Sequence, residues 1–219
     1  MRADEFYTNV FQLSDEGLIR RLAGKTRQKN VKKGEVIAQE GEVQSSVYFL
    51  VSGVLRGFFL DAKGRDITDC FAFQCGDPAV SCIKFGEPSF VSIEALTDCE
   101  LFAIPVFDLM ELVNDSPQLL RAYNGLLTNA LRYHWSMKAL MYQYTAMERY
   151  QWFLKYYPGL IERVSGKHVA SLLGMTSVTL SRLKRAIREE RAQKGLGLFS
   201  APDGAEKSSE GRELEGGTE

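Results

Sequence analysis

Histidine is almost absent from this 219-residue chain: only His134 and His168 occur. A catalytic metal centre usually draws on several histidines and a carboxylate, so metal-assisted chemistry has little to build on. Nor does the chain contain a G-x-S-x-G, P-loop or H-E-x-x-H pattern. Cysteine is sparse as well. Cys70, Cys75, Cys82 and Cys99 show no C-x-x-C spacing and no paired Cys/His set, which speaks against the common zinc frameworks. Reduced core thiols are the simplest reading; redox or metal sensing through Cys70, Cys75 and Cys82 is the alternative. No apolar run is long enough to cross a bilayer. The opening MRADEFYTNVF carries acids where a secretory signal would carry bases. A cytoplasmic location is therefore expected. Net charge is also missing: 27 bases balance 28 acids, leaving −1. Any affinity for a polyanion must come from local charge.

What is present is enough apolar residue, 45%, for one large domain or two small ones with cores. Residues 1–24 carry helical signals, with Ser14 as N-cap and Gly24 as stop. From 31 to 104 the pattern changes to short Val-, Ile- and Phe-rich segments between glycine turns, among them EVIAQEGE, SVYFLVSG and CELFAI. Asp61-Ala62-Lys63-Gly64 reads as a hairpin loop, with Gly64 free to take positive φ. Such spacing predicts a small sandwich or barrel-like roll. Pro105 suits the first turn of a following helix. Ser116 and Pro117 then open a long helix as N-cap and first helical residue. Along it Leu119, Tyr123, Leu126, Ala130, Tyr133, Met137 and Leu140 recur at three- and four-residue steps, a near-heptad apolar seam. That seam could pack on its own domain; the helix's length favours pairing with a twin in a dimer. A further helix, TAMERYQWFLKYYPGLIERV, stops at Pro158-Gly159. From Ser200 the chain is almost free of apolar residues, and disorder is expected there.

Charge collects in one place. Residues 163–194 hold eight bases against two acids, a local +6. Within VASLLGMTSVTLSRLKRAIR (169–188), a wheel at 100° per residue groups Leu180, Leu183 and Ile187 on one stripe. Val178, Ser181, Arg182 and Arg185 fall opposite, and Ser177, Lys184 and Arg188 lie on a flank. Thr176 can cap this helix and leave free amides where a phosphate could sit. Before it, Val169 and Leu173 stand one turn apart, Ala170 permits a close crossing, and Gly174 allows a sharp turn to Met175. The spacing resembles that of a helix-turn-helix, whose second helix enters the DNA major groove. Lys167, His168, Thr176, Ser177, Val178, Ser181, Arg182, Lys184, Arg185 and Arg188 are the candidate DNA contacts. Arg182 is best placed to read a guanine edge, and Val178 could meet a thymine methyl. Lys184, Arg185 and Arg188 suit phosphates. His168 is expected at the surface, at the start of the motif.

The order of parts, with KKGEVIAQEGE (32–42), VYFLVSGVLR (47–56), PSFVSIEAL (88–96), ERYQWFLKYYPGLIERV (148–164) and VASLLGMTSVTLSRLKR (169–185), resembles the Crp/Fnr family of bacterial transcription regulators over residues 5–190. The resemblance implies an α+β chain. A jelly-roll-like, cyclic-nucleotide-binding-like β-roll would occupy 1–115, a dimerisation helix 116–144, a winged-helix-like helix-turn-helix domain 145–199, and a tail 200–219. It further implies a homodimer on palindromic double-stranded DNA, with RNA polymerase as a further partner. Cyclic-AMP-binding members carry Gly-Glu in mid-roll and Arg-Ser about ten residues on; the carboxylate takes the ribose and the arginine the cyclic phosphate. Here those positions fall on Pro78-Ala79 and Ser89-Phe90, so both handles are missing and cyclic AMP is not expected to bind tightly. Another small-molecule effector, or none, remains open, with Ala79, Val80, Ser81, Cys82, Ser89 and Phe90 as the candidate pocket. Oxygen-sensing members hold an iron–sulfur cluster with cysteines near the N-terminus, and this chain has none before Cys70. An enzyme on a cupin-like roll is the least supported reading, because both histidines fall on predicted helices outside the roll. A ligand sensor acting through protein contacts alone would leave the Arg182/Arg185 face without a partner.

Overall fold

A computed structural model describes residues 1–82 and 84–193. The expected tail from Ser200, residues 194–199 of the expected DNA-binding domain, and the Lys194 share of the local charge lie outside the described residues.

Two short helices open the chain: α1 (Ala3–Asn9) and α2 (Glu16–Lys25). The cap of α2 is Asp15 rather than Ser14; its carboxylate accepts the Leu18 amide at 3.0 Å. The helix also runs through Gly24 to Lys25, because a lone glycine weakens a helix without ending it.

The roll consists of β1 (Arg27–Val31), β2 (Val36–Ala38), β3 (Ser46–Ser52), β4 (Leu55–Leu60), β5 (Asp66–Ala72), β6 (Pro78–Ala79), β7 (Ser92–Ala95) and β8 (Cys99–Pro105). Among the described residues these form two four-stranded antiparallel sheets, ordered β1-β8-β3-β6 and β2-β7-β4-β5. The jelly-roll expectation holds. The first strand begins at Arg27, earlier than expected. It is an edge strand of polar residues with Val31 alone buried, so it carries no apolar signal.

Between the sheets lie Val31, Leu50, Leu55, Ile93, Ala95 and Leu101. The outer face of the first sheet, with Val47, Phe49, Phe102 and Ile104, is covered by Phe6, Leu18 and Leu22 of α1 and α2 and by Leu109 and Leu112 of α3 (Val106–Asp115). Cover on both faces explains why SVYFLV shows an unbroken apolar run instead of alternation. Pro105 ends β8 and caps α3 rather than sitting inside it. In the hairpin after β4, the Asp61 carboxylate accepts from the Lys63 and Arg65 amides, and Gly64 has φ 72°.

α4 (Pro117–Gln143) is 27 residues long, about 40 Å at the helical rise. It starts as expected, with the Ser116 hydroxyl accepting the Leu119 amide. Four helices follow: α5 (Ala146–Tyr156), α6 (Leu160–Arg163), α7 (Gly166–Leu172) and α8 (Ser177–Gln193). Thr145 and Glu148 close a reciprocal capping box at α5. Phe153, Leu160, Val169, Leu173 and Leu180 are the centre of their core, which also takes in Leu140 of α4 and Val54 and Phe71 of the roll. The C-terminal unit is thus welded to the roll by apolar packing. Among the described residues no strand follows β8, so the expected wing lies outside them.

Candidate nucleic-acid interface and effector cavity

The helix-turn-helix is α7, a turn at Gly174, and α8. Gly174 has φ 59°, a left-handed value costly to other L-residues, and a Cβ there would sit 3.0 Å from Met141 Sδ. The Thr176 hydroxyl accepts the Thr179 amide at 3.1 Å, capping α8. Leu180 is buried and Leu183 and Ile187 pack beside it. Ser177, Val178, Ser181, Arg182, Arg185 and Arg188 are exposed. Arg185 has a loose partner in Glu189 at 3.7 Å. Arg182 and Arg188 have none among the described residues. The result is a cationic outer face on a helix anchored by its inner stripe. Lys184 is half-buried on the flank; burial, then nearby Arg188, pulls its pKa down.

His168 is the correction. It was expected at the surface, yet it is only 7% exposed. α7 lies against β5, where the Ser171 hydroxyl accepts the Thr68 amide at 2.9 Å and donates to the Asp66 carbonyl at 3.2 Å. His168 therefore faces the roll, away from the α8 face. Burial, then the charges of Arg56 and Lys167, depresses its pKa to about 4. Below it, Arg56 is 2% exposed and holds Asp66 by two 2.6 Å contacts, Glu94 by one at 2.6 Å, and the Thr68 hydroxyl at 3.0 Å. Burial opposes its charge, and these pairs outweigh it and raise its pKa. Lys167, by contrast, is exposed.

The seam expected to pair with a second chain is turned inward. Leu119 and Tyr123 pack in the helix-covered core of the roll, and Tyr133, Met137 and Leu140 in the C-terminal core. The Tyr133 hydroxyl donates to the Asp69 carbonyl at 3.1 Å and accepts from Tyr157 at 3.1 Å. Of the seven expected residues, only Ala130 is exposed. Leu120, Leu127, Leu131 and Trp135 (62% exposed) instead form an outward apolar stripe. α4 carries two apolar seams, and periodicity alone could not say which one the chain would cover itself.

The candidate effector residues also divide. Ser81 and Ser89 are buried in a closed network: the Ser81 hydroxyl lies 2.7 Å from Ser89 Oγ and 2.8 Å from Gln44 Oε1. Gln44 accepts the Ser81 amide as well and donates to the carbonyls of Ser46 and Ala79. Phe90 points outward, 61% exposed. Ala79 and Val80 do line a cavity of about 850 Å³, but Ser81, Cys82, Ser89 and Phe90 do not; its volume is that of a small-molecule site. Its other walls include β4, β5, Ile93 of β7, α4 and α5. Arg132, Asn129 and Trp152 were missed because the expectation was confined to the roll segment that aligns with a nucleotide motif.

As to the thiols, burial and then Asp69 push Cys70 up to about 12. Cys75, partly desolvated beside Asp77, and Cys82, raised first by burial, are also held above an ordinary thiol. All three are thus shifted toward the protonated thiol and away from the nucleophilic thiolate. Among the described residues no group of three or more His, Cys, Asp and Glu is placed to hold a metal ion, and no helix is long and apolar enough to cross a membrane.

Residues 28–116 match the cyclic nucleotide-binding domain family. Transcriptional activator protein Anr of Pseudomonas protegens is 31% identical over 128 residues, which span 58% of this chain and 52% of that protein. Anr of Pseudomonas aeruginosa is 32% identical over 130 residues with the same shares. The chain spans about half the length of these curated relatives. The structure of FixK2 from Bradyrhizobium japonicum matches with TM-score 0.69 at 23% identity, over 80% of this chain and 89% of that one. CLP of Xanthomonas campestris, described as a c-di-GMP responsive global regulator, matches with TM-score 0.65 at 18% identity, over 80% and 93%. At these identities the structural likeness establishes the fold.

Proposed function

We propose that this chain is a regulator of the Crp/Fnr kind, a DNA-binding transcription regulator and not an enzyme, a reading supported by its match to the cyclic nucleotide-binding domain family and its similarity to the Anr activators. The observation that carries the reading is the sorting of α8. Leu180, Leu183 and Ile187 hold it to the domain, while Val178, Ser181, Arg182 and Arg185 stand outward. A helix so presented fits the major groove, with the amides at its N-terminus near a phosphate. Arg182 is the base reader, and Lys167, Arg185 and Arg188 position the helix on the backbone.

The working form is a homodimer paired along the Leu120/Leu127/Leu131/Trp135 stripe of α4, which places two α8 helices on a palindromic site. RNA polymerase is its further partner on the promoter. The roll senses an effector other than cyclic AMP. Ser89 stands where the phosphate-binding arginine would be, and the donors around it are already used by Gln44.

Selection of bound fragments from random DNA, followed by titration of the selected site across a salt series, tests the reading. Affinity is expected to fall steeply with salt as phosphate contacts release counterions. Arg182→Ala is expected to cost about 1–3 kcal/mol at the selected site and to relax preference at one base pair. No binding at low salt would refute the function; unchanged base preference in the variant would refute the role of Arg182.

A further inference from the structure

The cavity of about 850 Å³ has walls from three parts of the chain. The roll supplies β4, β5 and the stretch Asp77–Val80, α4 supplies Leu126 to Ser136, and α5 supplies Trp152, Tyr156 and Tyr157. The aromatic wall is pre-assembled. Trp152 lies 4.9 Å from Tyr156 and 5.9 Å from Tyr157 between ring centroids, and Phe73 lies 5.5 Å from Tyr157. A planar ring can stack on such a wall without first ordering it.

The charges lining the cavity are mostly committed. Arg56 is saturated by Asp66, Glu94 and Thr68. Asp77 Oδ2 accepts the amides of Phe73 and Gln74, both at 2.9 Å. Asp69 faces the Cys70 thiol, whose pKa its charge helps to raise. Arg132 is exposed at the cavity wall with no ion pair or hydrogen bond among the described residues. An uncommitted guanidinium beside a predominantly apolar, aromatic surface complements an anion attached to a ring. The phosphate and ribose of a cyclic nucleotide find no comparable handles, since the groups at Ser81 and Ser89 are spent on Gln44.

We propose that this crevice between roll, α4 and α5 binds a small aromatic molecule bearing one anionic group, with the ring on the Phe73/Trp152/Tyr156 wall and the anion on Arg132. The inference rests on the reading of the roll as an effector domain. It adds that the effector touches α5 directly. Occupancy would then bias how the C-terminal unit is held against the roll, because the same wall carries the Tyr157–Tyr133–Asp69 hydrogen bonds.

The test uses two fluorescent probes that differ by one sulfonate: 8-anilino-1-naphthalenesulfonate and uncharged N-phenyl-1-naphthylamine. Both are titrated into the full chain without DNA. One saturable site per chain is expected, with the anionic probe bound at least about tenfold tighter, as an ion-paired contact implies. Arg132→Gln should abolish that preference while Arg132→Lys keeps part of it. Val80→Trp, on the cavity rim, should exclude both probes, so the proposal stays testable if an Arg132 variant folds poorly. Absence of a saturable site, retained preference in Arg132→Gln, or unchanged binding in Val80→Trp would overturn it. Because no DNA is present, this result is independent of whether the regulator reading survives.

Discussion

Acidification should destabilise this protein through His168 before most of the carboxylates matter. The imidazole is 7% exposed and its pKa is lowered from 6.5 to about 4. It is faced by Arg56 of β4 and by Lys167 on its own helix, which lower its pKa, and by Asp66 of β5 and Glu94 of β7, which raise it. The unfolded chain binds the proton first as pH falls, so stability rises with pH between 4 and 6.5 and is lost as pH falls through that window. The interval of 2.5 units, at about 1.36 kcal/mol each, gives roughly 3 kcal/mol. For a chain of this size that is a melting-temperature drop of roughly 6–12 °C. The carboxylates with lowered pKa, Asp61, Asp66, Asp98 and Glu148, contribute stability present above their unfolded pKa and lost as pH falls through the folded one, so their window meets that of His168 only at its acid end. Thermal unfolding followed by circular dichroism at pH 7, 6, 5 and 4 measures the slope, and His168→Gln should flatten it between 6.5 and 4. NMR titration in a His134→Gln background reads the single remaining imidazole. A midpoint near 6.5, or an unchanged slope in His168→Gln, would show that His168 is not held neutral against the roll.

Other substitutions probe separate joints. Arg56→Ala leaves Asp66 and Glu94 facing a buried gap and should destabilise by about 3–5 kcal/mol; a loss below about 1 kcal/mol in urea titration, the scale of an exposed pair, would mean the cluster is solvated. Gly174→Ala forces a side chain into a left-handed turn against Met141 and should cost about 1–2 kcal/mol, read in the same titration; a neutral effect would mean the turn relaxes. Leu131→Glu, on the outward stripe of α4, should convert a dimer to a monomer in light scattering after gel filtration, and a mass equal to that of the unsubstituted dimer would place the seam elsewhere.

How far the site was legible depended on whether a residue's role was local. Ser116, Pro117, Thr176 and Gly174 act on their own backbone within a few residues, and each could be read from spacing. Edge strand β1 was missed at its start because Arg27-Gln28-Lys29-Asn30 pair by backbone alone with β8. His168 was misplaced because its burial depends on β5, some hundred positions earlier in the chain, as the Ser171–Thr68 bond across 103 residues shows.

The sequence by itself determined the roll, the long helix, the helix-turn-helix and the sign and facing of charge on α8. Those follow from hydrophobic period, caps and turns, which are properties of neighbouring residues. The tertiary structure decided which of two apolar seams on α4 is covered, that His168 and Arg56 form a buried joint between roll and C-terminal unit, and that Arg132 meets Trp152 and Tyr156 across one cavity. Each of these depends on distant segments meeting, and a period of three or four residues carries no information about what the helix will be packed against.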